Sequence, residues 1–128
     1  MLSSFKKDFT LAQRISESTR ILAKYPDRIP IIIEYNDAEL LKIIKKRKFL
    51  VPHDVSVSYL IHIIRNKIKI DSSKAIFMFY ENILLNSTSM IGELYEKYKK
   101  NNKEYIKGDK FFYITLSYEN TFGYSLLF

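Results

Sequence analysis

Few residues of this 128-residue chain are of types that carry chemistry, and their spacing matches no catalytic pattern. The absence of cysteine excludes disulfides, thiolate metal sites and a catalytic thiol. The two histidines, His53 and His62, stand in a turn and in a predicted helix, and they form no recognisable metal-binding pattern. No serine lies in a G-x-S-x-G setting, and the 14 acidic residues are scattered. The sequence therefore predicts no enzyme, no metal site and no resident cofactor.

The three glycines lie far apart, at Gly92, Gly108 and Gly123, so they form no phosphate-binding loop. Gly123 is followed by a mostly apolar segment, Tyr124 to Phe128. Glycine suits a backbone that must bend, or one that must pass through a space too narrow for a side chain. The position alone does not separate a turn glycine with a packed tail from a functional one.

The chain carries a formal net charge of +7, and five of the seven residues from 42 to 48 (KIIKKRK) are basic. Such an excess favours nucleic acid, anionic lipid or acidic peptides without choosing among them. The segment AIFMFY does not match the RNA-binding strand motif, so we expect no nucleic-acid partner. The chain also shows neither a signal-peptide pattern nor an apolar run long enough to span a membrane, which favours a soluble intracellular protein.

Hydrophobic periodicity predicts a single α+β domain with helices on one side of a mixed sheet. A short helix near residues 5–9 is weakly indicated. The clearer predicted helices cover 11–24, 38–46, 54–68 and 90–98, and the predicted strands cover 29–35, 48–52, 75–80, 83–85 and 111–117. Pro30 implies that the first strand is an edge strand or that the proline lies among its first residues. The β-grasp of ubiquitin fits this order if the first helical region is an extension.

Five stretches then resemble one family, the autophagy ubiquitin-like modifiers of the GABARAP and microtubule-associated light-chain group. They are KYPDRIPIIIE (24–34), KFLVPHDVSVSYLIHIIRNKI (48–68), AIFMFYEN (75–82), MIGELYEKY (90–98) and ENTFG (119–123). The resemblance implies a ubiquitin-like β-grasp with two additional N-terminal helices. The domain would cover residues 1–123, with 1–26 as the helical extension and 124–128 as a removable C-terminal propeptide.

The same resemblance conflicts with one prediction and leaves another open. Residues 36–47 form a loop in relatives, which contradicts the helix predicted over 38–46. The segment 99–108 (KKNNKEYIKG) is longer than in relatives, and it either extends the preceding helix or shades the site that contains Phe111.

Conjugation is the first activity that the resemblance implies. A cysteine protease would cleave between Gly123 and Tyr124, and conjugating enzymes would join Gly123 to phosphatidylethanolamine, the only group the chain would carry. The product would recruit cargo receptors and adaptors to autophagosomal membranes, so we expect a cytoplasmic and autophagosomal protein, monomeric apart from its partners. The alternative is an unconjugated trafficking or cytoskeletal adaptor of the same fold.

Peptide capture is the second implied activity, in which a receptor's aromatic-x-x-aliphatic motif would add as a strand beside residues 48–52. By position, the aromatic pocket would comprise Glu17, Ile21, Pro30, Ile32, Lys48, Leu50 and Phe111. The aliphatic pocket would comprise Phe49, Val51, Pro52, Val55, Leu60 and Ile63. Acidic residues flanking the motif would meet Arg28, Lys46 and Arg47, together with Lys48. A second docking surface would contain Phe77 and Phe79.

Overall fold

The computed structural model describes residues 4–36, 47–68, 70–71, 73–102 and 104–118. Within these ranges the helices are α1 (Ser4–Asp8), α2 (Leu11–Lys24), α3 (Val57–Ile68), α4 (Ile91–Asn101) and α5 (Glu104–Lys107). The strands are β1 (Arg28–Tyr35), β2 (Lys48–Pro52), β3 (Phe77–Tyr80), β4 (Ile83–Leu84) and β5 (Phe112–Ser117). Each of these elements except α5, which was not predicted, lies within three residues of its predicted bounds. The helix predicted over 38–46 lies outside the described residues.

The five strands form one mixed sheet in the order β2-β1-β5-β3-β4. β1 pairs antiparallel with β2 and parallel with β5, whereas β3 pairs antiparallel with both β5 and β4. Two helices precede β1, and α3 connects the first strand pair to the rest of the sheet. This topology confirms the predicted α+β class and the β-grasp with two additional N-terminal helices.

β1 is buried on both faces along the whole run from Ile29 to Tyr35. Its odd-numbered side chains join the main core, while the even-numbered Ile32 packs against Phe5 and Phe111 on the other face. A strand covered on both sides is expected to be apolar throughout rather than alternating. The N-terminal extension therefore forms a second layer over the sheet.

Pro30 is tolerated because of its place in β1, which is an internal strand and not an edge strand. The ladder between β1 and β5 begins at Ile31, one residue after the proline. The second of the two alternatives, a proline among the first residues of the strand, is therefore the one observed.

Local hydrogen bonds cap the first turns of α2 and α3. Thr10 and Gln13 form a capping box at the start of α2, in which each side chain accepts the other residue's backbone N–H. Ser56 Oγ accepts the backbone N–H of Tyr59, so Ser56 caps the start of α3.

The main core lies between α3 and the odd face of β1. Val57, Leu60 and Ile64 of α3 pack there with Met78 and with the even-numbered residues of β5. Tyr105 of the long segment 99–108 packs at the margin of this core, with ring centroids 6.0 Å from Tyr95 and 5.6 Å from Tyr98. The segment thus extends α4 to Asn101 and then folds back on that helix.

None of the helices in the described ranges is long and apolar enough to cross a membrane.

Gly92 is required by a close approach of α4 to the turn after β2. Its backbone N–H donates to the His53 carbonyl at 2.9 Å, and an added Cβ would lie 2.6 Å from that same oxygen. Because the obstructing atom belongs to the backbone, it cannot move aside as a flexible side chain would. The residue holds α4 against the end of β2.

Replacing Gly92 with alanine should lower the free energy of unfolding by about 1–2 kcal/mol, measured by urea denaturation. The overlap should outweigh the higher helix propensity of alanine, which is worth about 1 kcal/mol. Glu93→Ala, at the next and exposed position, is the matched control and should change stability by no more than about 0.5 kcal/mol. A Gly92→Ala protein as stable as the wild type would contradict this account.

Candidate peptide-docking site

β2 is an edge strand, because it pairs with β1 on one side and stands last in the sheet order. Along it, Phe49 and Val51 enter the main core, while Lys48, Leu50 and Pro52 lie on the opposite face. An edge strand presents backbone N–H and C=O groups with which an added strand can pair. Here one face of that edge lies beside the layer formed by α1 and α2.

The residues of the predicted aromatic pocket come together between α2 and β2. Opposite residues of an antiparallel pair share a face, and Leu50 lies opposite Pro30 while Lys48 lies opposite Ile32. Ile21 and Phe111 join Ile32 in one apolar cluster. The seventh member, Glu17, forms an ion pair with Lys48.

A charged pair spans the gap between α2 and β2, since Lys48 Nζ donates to Glu17 Oε2 at 2.9 Å. Arg20 also donates to Glu17, and the bonds from Arg20 and Lys48 hold the pKa of Glu17 below its ordinary value. The side chains of Glu17 and Lys48 are 30% and 45% exposed, so the pair is worth no more than about 1 kcal/mol. An entering side chain can therefore separate them at low cost.

Phe5 of α1 belongs to the same cluster, a contact that the sequence did not predict. Its side chain is 3% exposed, and its ring centroid lies 5.5 Å from that of Phe111 and 4.9 Å from that of Phe9. It packs with Ile32 and Ile21 as well. The spacing of Phe5 and Phe9 indicated a short helix, but nothing in it showed where that helix packs.

The predicted aliphatic pocket is mostly part of the main core. Four of its residues are buried there, namely Phe49, Val51, Val55 and Leu60. Pro52 and Ile63 are half-buried. A side chain arriving from outside would therefore meet Pro52 and Ile63 first, with the buried residues behind them.

The cations predicted to meet one acidic flank do not form one cluster. Arg28 lies opposite Pro52, whereas Arg47 precedes Lys48 at the other end of β2, about 17 Å away at the usual rise per residue. The two arginines would thus meet opposite ends of a strand docked on β2. Lys46 lies outside the described residues.

The predicted second docking surface is only partly exposed. Phe77 is half-buried, but Phe79 is fully buried at 0% exposure. Both lie on the sheet face opposite α3, because Phe77 pairs with Ser117 and Phe79 with Thr115. In this conformation Phe77 alone of the two can contact a partner, so Phe79 is corrected to an interior residue.

A buried polar network fixes α2 to the segment that leads into β5. Asp109 accepts hydrogen bonds from Arg14 Nη1 at 2.6 Å, from the Tyr113 hydroxyl at 2.8 Å and from the Phe111 backbone N–H at 3.0 Å. Ser18 Oγ accepts the Lys110 backbone N–H at 3.0 Å. These bonds set the distance between α2 and Phe111, the two walls of the aromatic pocket.

Burial, and then the bond to Asp109, raises the pKa of Tyr113 well above its ordinary value. The phenol therefore stays protonated and donates to the Asp109 carboxylate throughout the ordinary pH range. No local pattern predicts this network, since Arg14 and Asp109 lie 95 residues apart in the chain.

Metal chemistry finds no support among the described residues, because no three His, Asp or Glu side chains there lie close enough to hold an ion. A separate open groove of about 600 Å³ borders His53, Gly92 and α4, and charges of both signs line it. Its side chains show no arrangement for acid–base or nucleophilic work.

The fold defines a ubiquitin-like protein in which the edge strand β2 lies beside a layer of two N-terminal helices. Known proteins agree with this class. The family model described as "Autophagy protein Atg8 ubiquitin like" matches residues 13–123. The chain belongs to the Atg8 family of ubiquitin-like autophagy proteins, and like them it is a ubiquitin-like modifier and not an enzyme.

Similar full-length relatives include Autophagy-related protein 8 of Schizosaccharomyces pombe, 44% identical over 96% of both chains. Autophagy-related protein 8h of Arabidopsis thaliana is 41% identical over 96% of this chain and 98% of its own. The crystal structure of Trypanosoma brucei ATG8 is 28% identical with a TM-score of 0.76, covering 91% of this chain and 95% of that one. Plasmodium falciparum Atg8, solved with a P. falciparum Atg3 peptide, is 31% identical with a TM-score of 0.72, covering 92% and 98%.

Asp109→Ala should destabilise the protein by about 3–5 kcal/mol, because it leaves the Arg14 guanidinium buried without its counter-ion. The two side chains are 12% (Arg14) and 3% (Asp109) exposed. Glu96→Ala is the control, since it breaks the more exposed Glu96–Lys99 pair and should cost less than about 1 kcal/mol. The measurement is the free energy of unfolding in urea. Equal losses of that free energy in the two variants would show that burial does not increase the contribution of the Arg14–Asp109 pair to stability.

Proposed function

We propose that this chain is a lipid-conjugated modifier that recruits cargo receptors and adaptors to autophagosomal membranes. It would be cleaved after Gly123, joined to phosphatidylethanolamine, and would bind receptor peptides along the free edge of β2. The observation that carries the docking half is the placement of Lys48 and Leu50, on that edge, against an apolar cluster shared with α2 and Phe111. The protein would reside in the cytoplasm and on autophagosomal membranes.

Strand addition at β2 accounts for the shape of the site. A peptide strand can pair its backbone with β2 while alternate side chains enter the two pockets. The aromatic pocket lies toward Lys48 and the aliphatic pocket toward Pro52. An aromatic-x-x-aliphatic peptide would therefore run parallel to β2. The P. falciparum relative solved with a peptide of Atg3 supports peptide capture by this fold.

The conjugation half rests on the chemistry of Gly123 and on the extent of the family match, which ends at residue 123. Gly123 lies outside the described residues. A cysteine protease would add water across the Gly123–Tyr124 bond, giving a Gly123 carboxylate and releasing residues 124–128. Conjugating enzymes would then use a nucleoside triphosphate to activate that carboxylate, and the lipid amine would displace the activating group to form an amide.

The absence of a Cβ is what this chemistry requires of position 123. An extended tail with glycine at the scissile bond can enter a channel that would clash with any larger residue. The alternative, an unconjugated trafficking or cytoskeletal adaptor, would use the same β2 edge and keep its last five residues.

Gly123→Ala should abolish both cleavage and lipid attachment. The measurement is the intact mass of the protein from its native cells, in soluble and membrane fractions. Wild type should give a soluble form that ends at Gly123 and a heavier lipid-bearing membrane form. Ser125→Ala, inside the removed segment, is the control and should be processed normally. A wild-type protein that retains residues 124–128 in both fractions would favour the unconjugated adaptor.

Leu50→Ala should weaken the binding of an aromatic-x-x-aliphatic peptide at least about tenfold, as measured by isothermal titration calorimetry. Leu50 is half-buried on the pocket face of β2, so its truncation removes contact area that a bound aromatic ring would cover.

The control variant is Ile83→Ala on β4, where Ile83 is an exposed residue at the opposite edge of the sheet from β2. A second control is the same peptide with alanine at both anchor positions, which should not bind. Docking at this site would be refuted if Leu50→Ala and Ile83→Ala bound the peptide equally well.

A further inference from the structure

Arg47 is already engaged with α1 in this structure, although it is one of the residues predicted to meet a receptor's acidic flank. Its Nη1 lies 2.9 Å from Asp8 Oδ2. The guanidinium carbon lies 5.3 Å from the centroid of the Phe5 ring and 5.9 Å from that of the Phe9 ring. The side chain of Arg47, the residue just before β2, thus contacts three N-terminal residues, Phe5, Asp8 and Phe9.

We propose that Asp8 acts as an internal competitor for Arg47, and that it thereby sets how strongly the site prefers peptides with an acidic flank. The inference rests on the proposed peptide docking. Asp8 offers Arg47 the same group, a carboxylate, that an acidic residue before the peptide's aromatic anchor would offer. Each acidic peptide would have to displace it.

The surroundings of Arg47 favour replacement over simultaneous binding. An arginine has five N–H donors and can in principle serve two carboxylates. Here the aromatic rings of Phe5 and Phe9 lie near the guanidinium, and its side chain is 25% exposed. The Asp8 side chain is 57% exposed and can rotate into solvent with its charge hydrated. A peptide carboxylate therefore takes the place of Asp8.

The competition links the peptide site to α1. Asp8 is the last residue of α1, and Phe5 on the same helix packs into the apolar cluster with Ile32 and Phe111. If an acidic peptide removes the Asp8–Arg47 pair, α1 loses one of its contacts with the rest of the protein. Coupling of this kind is reciprocal, so removal of the pair must favour the acidic peptide by the same factor.

The test compares two peptides with the same aromatic-x-x-aliphatic core, one with three glutamates before the aromatic residue and one with three glutamines. Asp8→Asn should bind the glutamate peptide about two- to fivefold more tightly than wild type does, the range expected for one exposed ion pair. Binding of the glutamine peptide should be unchanged. The gain should disappear at about 1 M salt, where exposed charges are screened.

Glu93→Gln on α4 is the matched control, because it raises the net charge by the same one unit at an exposed position away from α1. It should leave the ratio of the two peptides' affinities unchanged. In Arg47→Gln, the preference for glutamate should fall, and adding Asp8→Asn should produce no further gain, which completes a double-mutant cycle. Circular dichroism spectra of all variants check that the fold is retained.

The outcomes separate this inference from the docking proposal. If wild type binds neither peptide, peptide docking at β2 is wrong and the competition falls with it. If wild type binds both but Asp8→Asn changes the ratio no more than Glu93→Gln does, docking stands and the internal competition is overturned. A loss of glutamate-peptide affinity in Asp8→Asn would also overturn it, by showing that the pair supports the site.

Discussion

The burial of β1 on both faces is the constraint on which the rest of the structure depends. A sheet with an internal strand buried on both faces needs cover on each side. α3 supplies that cover on one face, and the N-terminal helices supply it on the other. At the β2 edge Glu17 of α2 bonds to Lys48, and the candidate aromatic pocket lies there between α2 and β2. The candidate docking site is thus bordered by the same helices that complete the sheet's second layer.

Two kinds of ion pair lie around the candidate pocket, and they differ in burial. The Arg14–Asp109 pair is buried, accepts further hydrogen bonds and fixes α2 relative to Phe111. The Glu17–Lys48 and Asp8–Arg47 pairs lie at the surface and are individually weak. Breaking the first leaves a charge stranded in the interior, whereas breaking either of the others returns charges to water. The buried pair that fixes the pocket walls is therefore costly to break, whereas the exposed pairs at the opening of the pocket separate at low cost.

The sequence predicted most of the elements because α2 and α3 each bury one periodic face, and because the strands are short runs rich in apolar, β-branched or aromatic residues; both are local properties. The membership of the aromatic pocket followed from the family resemblance, and the β1–β2 register then brought those residues together. Contacts between residues far apart in the sequence were not predicted. Asp109 and Arg14 are 95 residues apart, and the packing of Phe5 is set by a strand formed much later in the chain. Register likewise placed Arg28 and Arg47 at opposite ends of β2, which composition could not show.

The parallel pairing of β5 with β1 has a mechanical consequence. β5 comes last in the chain among the described strands; β1 pairs with it from Phe112 to Leu116, and β3 pairs with it from Thr115 to Ser117. A pull along the strand from its carboxyl end would strain the bonds of both ladders together, in shear, instead of opening them one after another as a zipper. If the carboxyl end is a tether and the load is carried at β2, the force passes straight through β5 and β1. The protein would then transmit tension through these two ladders without losing their hydrogen bonds one at a time.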